Sequence, residues 1–226
     1  MGKFSLNIKH YTASQLYGLD RHNLRKTLRH STNIDSNRTH ENKILVGGVN
    51  PLYYEAKREI AERVNGRITK ASIYISEFIF TLPKGIPVQE AEHYFSDCVE
   101  ILGRVNNPQN IVQAVIHYDE PDAQPHMHLD FCPITCDGKL SRKKIFTRES
   151  LTKLQYGFPQ KLQELGWNIE LPERTERGQY TKTVKELKKQ NDRLCAQIDA
   201  LYEERDELLE GNIDLAENLL NHDLEL

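Results

Sequence analysis

The stretch His117-Tyr118-Asp119-Glu120-Pro121-Asp122-Ala123-Gln124-Pro125-His126-Met127-His128 lies between two β-rich runs, Ile111 to Tyr118 and His126 to Ile134. Two extended runs joined by a short, proline-containing polar loop are expected to pair as an antiparallel hairpin. Side chains alternate along a strand, so His126 and His128 share one face while Met127, Leu129 and Phe131 project to the other, apolar face. His117 ends the first arm and comes across from that pair. Three imidazoles can then converge on one ion and leave coordination positions open for a substrate. A solitary histidine in such a strand is more often a hydrogen-bonded core residue. An H-x-H pair facing a third histidine shifts the balance to a metal site, with a pH-sensitive histidine cluster as the alternative. Asp119 and Glu120 can complete the ligand set, orient a ligand ring or serve as a general base.

Working outward, Ser72 to Leu82 is rich in Ile, Tyr and Phe and ends at Pro83-Lys84-Gly85, which predicts a further strand. Phe4, Leu6 and Ile8 alternate with polar residues and predict a short one near the start. Pro51 to Val64, Pro87 to Val105 and Thr147 to Leu165 have helical spacing, each with a proline or threonine at its start. The expected fold is α+β, an antiparallel sheet with flanking helices. The segment from Ser14 to Asn42 is crowded with Arg, His, Asn and Asp and supplies little core, so structural need does not explain it. If Leu19 to His30 is helical, His22, Arg25, Lys26 and Arg29 fall at i, i+3, i+4 and i+7 and form one basic face. Phosphates can lie along such a face, with Arg21 and Asn23 beside it and Arg38 and Arg67 extending it.

The formal net charge of −3 argues against a nucleic-acid partner only until it is resolved by segment. Residues 1–70 carry 13 Lys and Arg against 6 Asp and Glu, whereas residues 179–226 carry 6 against 12. A basic body with an acidic extension fits DNA binding by residues 1–178. After Pro172, positions Val184, Leu187, Leu194, Ile198, Leu201, Leu208, Leu215 and Leu219 follow a 3–4 spacing, with Asn191, Arg205 and Asn212 also on the seam. Residues 179–226 are therefore expected to form a coiled coil that pairs two copies, the alternative being one amphipathic helix folded back on the body. Cys98, Cys132, Cys136 and Cys195 show no C-x-x-C spacing, which argues against a disulfide framework or zinc ribbon. No apolar run is long enough to span a bilayer or serve as a secretory signal, and a cytoplasmic location is expected.

The order His117-x-Asp-Glu…Pro125-His126-Met127-His128 resembles the third motif of the Mob/Pre plasmid mobilization relaxases (the MobV type), within the wider group of HUH endonucleases. His22-Asn23-Leu24-Arg25 is similar to that family's first motif, and the segment from Asn33 to Asn42 to its second. The likeness covers about residues 1–180. It departs from the family in a loop between Glu120 and Pro125 that is about two residues longer, and in Asp130, where a small residue is usual. Asp130 shares the face of His126 and His128 and is expected to accept from a ligand ring or to be an extra ligand. The resemblance implies an enzyme that nicks one strand at a plasmid origin of transfer and stays joined to the freed 5′ end. It implies His22 as nucleophile, Glu120 holding or deprotonating it, and His117, His126 and His128 around a divalent ion, Mn2+ or Mg2+. Tyr17 is the rival nucleophile. Two competing readings are a replication-initiator or transposition nuclease with the same hairpin, and a non-catalytic DNA-binding dimer.

Overall fold

The computed structural model describes residues 2–26, 33–172 and most positions between 189 and 201. The chain divides into two compact units, residues 1–173 and 174–226. In the first, β1 (Gly2–Lys3) and β2 (Ser5–Thr12) lead into α1 (Leu16–Asn23), β3 (Lys43–Val46), α2 (Leu52–Arg63) and β4 (Ile73–Thr81). Then follow α3 (Ala91–Val105), β5 (Ile111–His117), β6 (His126–Phe131), the short helices α4 (Arg142–Ile145) and α5 (Arg148–Thr152), α6 (Phe158–Glu164) and β7 (Ile169–Glu170).

Five strands form one antiparallel sheet in the order β2-β4-β6-β5-β3. The expected hairpin is its centre, with His117 opposite His126 and Val115 opposite His128. Alternation along the strands separates two cores. On one face Met127, Leu129 and Phe131 join Phe78 and Phe80 beneath Tyr94, Phe95, Phe158 and Leu162. The facing side of α3 supplies Ala91, Tyr94, Phe95, Cys98, Ile101 and Leu102 at the three-and-four spacing of a helix stripe. On the other face Ile75 packs with Leu16 and Leu19 of α1 and with Leu52, Ala56 and Ile60 of α2. That second layer sets the last turn of α1, which carries His22, against the histidine end of the sheet.

Several expected elements shift. The edge strand β3 was not anticipated, because a four-residue strand between polar loops carries little periodic signal. The helix expected over Thr147–Leu165 is interrupted: Thr147 caps its start by accepting from the Ser150 N–H, but a π-helical turn spans Lys153–Gly157. Pro159, which has no N–H to give to the preceding turn, stands just beyond that interruption. The helix expected over Leu19–His30 ends at Asn23, and Arg25 adopts φ of +50°. His22 and Arg25 therefore do not share a helical face. Cys98, Cys132 and Cys136 are unpaired, and no described helix is long and apolar enough to cross a membrane.

In the second unit the described positions between 189 and 201 are helical, and Leu194, Ile198 and Leu201 of the expected seam are exposed. The remaining apolar seam positions, Val184, Leu187, Leu208, Leu215 and Leu219, lie outside the described residues, as do Arg205, Asn212 and Cys195.

Candidate active site

His117 closes β5, His126 opens β6 directly opposite, and His128 lies two residues further on the same face. Their ring centroids are 5.3 Å apart for His117 and His126, 4.7 Å for His117 and His128, and 5.1 Å for His126 and His128. All three are buried. The fourth ring arrives from the last turn of α1: His22 stands 5.1 Å from His128 and 5.8 Å from His117. Ligand atoms of His22, His117 and His128 lie within 4.8 Å of one another, as do those of His117, Glu120 and His126.

Each buried ring is held from behind. His117 Nε2 is 2.8 Å from the Asn23 carbonyl, His126 Nδ1 is 3.2 Å from the Gln124 carbonyl, and His128 Nδ1 is 2.7 Å from Glu77 Oε1. These partners accept hydrogen bonds, so the engaged nitrogens carry the protons and the opposite nitrogens offer lone pairs. His117 Nδ1 and His128 Nε2 are buried without a hydrogen-bond partner. Two orphaned imidazole nitrogens beside a third ring form a nitrogen-rich donor set that fits a divalent transition ion.

Burial, then the neighbouring His128 and Arg25, drives His117 down to about 2. His126 is lowered chiefly by burial and then by His128. His22 has an exposed outer edge, yet its ring stands in the mouth of the cluster, where loss of water and then His128 and Arg25 lower it to about 4. At neutral pH His117 and His22 are uncharged, as a metal ligand and a nitrogen nucleophile require.

The acidic residues are distributed differently from expectation. Arg25 is buried and forms a two-pronged pair with Asp119, at 3.0 Å from Nε and 2.8 Å from Nη2, while Nη2 also donates to Glu120 Oε1 at 2.7 Å. Asp119 further accepts from Thr39 Oγ1 (3.1 Å) and Asn42 Nδ2 (2.8 Å). Its burial alone would raise its pKa, but Arg25, Asn42 and Thr39 bring it to about 2. Among the described hydrogen bonds none joins Glu120 to His22. Glu120 instead lies 3.6 Å from His126 Nε2. Asp130 is fully buried, accepts from Asn23 Nδ2 at 3.0 Å, and is raised by burial and then by Glu77.

Glu77, not Asp130, engages His128, and sequence reasoning missed it. The available signal was a lone acidic residue inside the apolar run of β4. Burial would push Glu77 up, but His128 and Tyr11 hold it below its ordinary value.

The cationic residues separate into two groups. Arg25 and Asn23 are buried supports of the cluster. On or just beyond α1, Arg21 donates to Tyr17 Oη at 3.2 Å and Lys26 pairs with Asp20 at 2.7 Å; Arg38 pairs with Glu41 at 2.9 Å. Arg67 is exposed beyond the C-terminal end of α2, whose Arg63 donates to Asn110 just ahead of β5. That is the end of the sheet away from His117, roughly 20 Å along a strand. Arg29 lies outside the described residues. Tyr17 is 68% exposed and, five positions before His22, points about 140° away around the helix.

The profile of the plasmid recombination enzyme family (Mob_Pre) matches residues 1–194. The chain is 32% identical over 185 residues to a plasmid recombination enzyme of Bacillus thuringiensis, covering 78% of this chain and 41% of the relative. It is 34% identical over 197 residues to one from Bacillus sp, covering 84% of this chain and 46% of the relative. The chain thus spans less than half the length of these relatives. Among solved structures it is similar to the MobM relaxase domain bound to plasmid pMV158 oriT DNA, in a Mn-bound crystal structure. The TM-score is 0.74 at 26% identity, covering 83% of this chain and 98% of that one.

Proposed function

The chain belongs to the plasmid recombination enzyme family, and from that membership we propose that it is a relaxase that nicks one DNA strand at a plasmid origin of transfer. The observation that carries this reading is the packing of the His22 ring against His128 and His117 at the loop end of the hairpin. His117, His126 and His128 would hold a divalent ion, and the Mn-bound state of the similar MobM domain favours manganese. Magnesium fits less well, since it prefers oxygen ligands. When bound, the ion would polarise the non-bridging phosphate oxygens and stabilise their developing charge.

The protein's own groups supply the rest. The neutral His22 imidazole attacks phosphorus through a ring nitrogen as the bond from phosphorus to the 3′ oxygen breaks. The released 3′ oxygen takes a proton from water, and the protein is left joined to the 5′ phosphate. The Glu120 carboxylate, held by Arg25 beside the cluster, balances positive charge appearing on His22. Lys26, Arg21 and Arg38, with Arg29 beside them in sequence, would position the phosphate backbone without reading bases. Arg25 and Asn23 serve from inside, where DNA does not reach.

We assign the DNA chemistry to residues 1–178 and the pairing of two copies to residues 179–226. The exposed Leu194, Ile198 and Leu201 support this pairing, because an apolar seam at heptad spacing is buried when a second copy covers it. The test of the catalytic reading is incubation with supercoiled plasmid carrying candidate origins and Mn2+. Wild type and Tyr17→Phe should relax the plasmid and yield a covalent adduct, and His22→Ala and His126→Ala should yield neither. An adduct that survives His22→Ala but not Tyr17→Phe would overturn the assignment.

A further inference from the structure

We infer that Tyr11 and Glu77 are positioning residues that fix the tautomer of His128 and raise the affinity of the histidine cluster for a divalent ion. The inference rests on the proposed role of His128 as a ligand. A continuous chain of contacts carries it. Tyr11 Oη donates to Glu77 Oε2 at 3.0 Å, and Glu77 Oε1 lies 2.7 Å from His128 Nδ1. His128 Nε2, on the far side of the ring, has no partner. Glu77 is only 1% exposed, so its charge is not held by water.

The three rings are not equivalent. His117 and His126 are backed by neutral main-chain carbonyls, whereas His128 alone is backed by a carboxylate. An anionic acceptor forms the stronger bond, holds the proton on Nδ1, and makes Nε2 the better electron donor. A buried carboxylate needs a second donor to remain in place, and Tyr11 is that donor. Tyr11 is only half-buried and lines a cleft of about 470 Å³ with Lys9, Gly18, His22 and His128. The chain therefore runs from a solvent-facing cleft wall to the buried ligand. Placement explains the division of labour: Tyr11 and Glu77 face the same side of neighbouring strands, with Tyr11 paired to Ile75 in the β2–β4 register.

The test uses the full chain and two readouts independent of nicking. In the metal-free protein, nitrogen NMR of labelled histidine should show His128 protonated at Nδ1 alone. In Glu77→Gln and Tyr11→Phe the two tautomers should mix. Calorimetric titration with Mn2+ should show roughly 10- to 100-fold weaker binding for Glu77→Gln, the range expected when a group behind a metal-ligating histidine is removed. For Tyr11→Phe the loss should be about fivefold, one hydrogen bond's worth. Glu77→Asp should recover part of the affinity. Unchanged tautomer and affinity in both variants overturn the inference. A wild-type His128 protonated at Nε2 overturns it as well, whatever becomes of the nicking assay. If His22→Ala abolishes the adduct while Glu77→Gln binds Mn2+ as wild type does, the relaxase reading stands and this inference falls.

Discussion

Replacing Asp119 by alanine should destabilise the first unit by about 3 kcal/mol, near the lower end of what breaking a buried ion pair costs. The Asp119 side chain is fully buried and accepts from Arg25 through two nitrogens, from Thr39 and from Asn42. Its removal leaves the Arg25 guanidinium, 3% exposed, with Glu120 as its remaining carboxylate partner. The retained Glu120 is what keeps the loss near 3 kcal/mol instead of about 5. Arg25 also holds φ of +50°, a conformation that costs a non-glycine residue on the order of 1 kcal/mol and that the ion pair offsets. In urea, with a slope of about 2 kcal/mol per molar, the midpoint should fall by roughly 1.5 M. A cycle with Arg25→Met should give a coupling of about 2 kcal/mol, because the two groups share one network. A loss under about 1 kcal/mol, or additive single effects, would show that the pair behaves like a solvated surface bridge and refute the reasoning.

Metal-free protein should keep His22 and His117 neutral well below the ordinary histidine range, since their folded values are about 4 and about 2. A lowered histidine pKa means its contribution to stability is complete above about 6.5 and is given up as pH falls toward the folded value, at up to about 1.4 kcal/mol per pH unit. NMR titration of either ring with a midpoint near 6.5 would contradict this. Gly18→Ala should raise stability by about 0.5–1 kcal/mol in thermal unfolding, because the added methyl meets open space on a helix. Gly47→Ala should lower it, since φ is +70° and the new carbon would stand 2.2 Å from the Val112 carbonyl oxygen; melting temperatures equal to wild type for the two variants would contradict both expectations. Sedimentation should find the full chain dimeric and Leu194→Asp with Leu201→Asp monomeric; a monomeric wild type removes the pairing assignment.

The central hairpin was legible because two independent patterns coincided, strand alternation and the spacing of histidines across a short loop. Faces followed directly: Met127, Leu129 and Phe131 reached the apolar core, and His126 and His128 the opposite side. The environment of Arg25 was not legible. Three-and-four spacing assumes that the helix continues, and here it stops at Asn23 because the chain turns inward to satisfy Asp119 and Glu120. Nor could local pattern assign a partner to His128. Glu77 lies 51 residues away and reaches it only through the β4–β6 register, in which Ile79 pairs with His128. Tertiary pairing of that kind leaves no trace in spacing, except that an acidic residue in an apolar strand needs a partner of some sort.

The pairing of β1 with β7 brings together residues 2–3 and 169–170 in parallel, with Gly2 so close to the Lys84 backbone that a side chain there would collide. During synthesis β1 must wait for β7 before the two can pair. At roughly 5–20 residues per second, on the order of ten seconds or more separate their emergence from the ribosome. Until then Phe4 lacks both the Phe158 ring that stacks on it and the Glu170 carbonyl that accepts from its N–H.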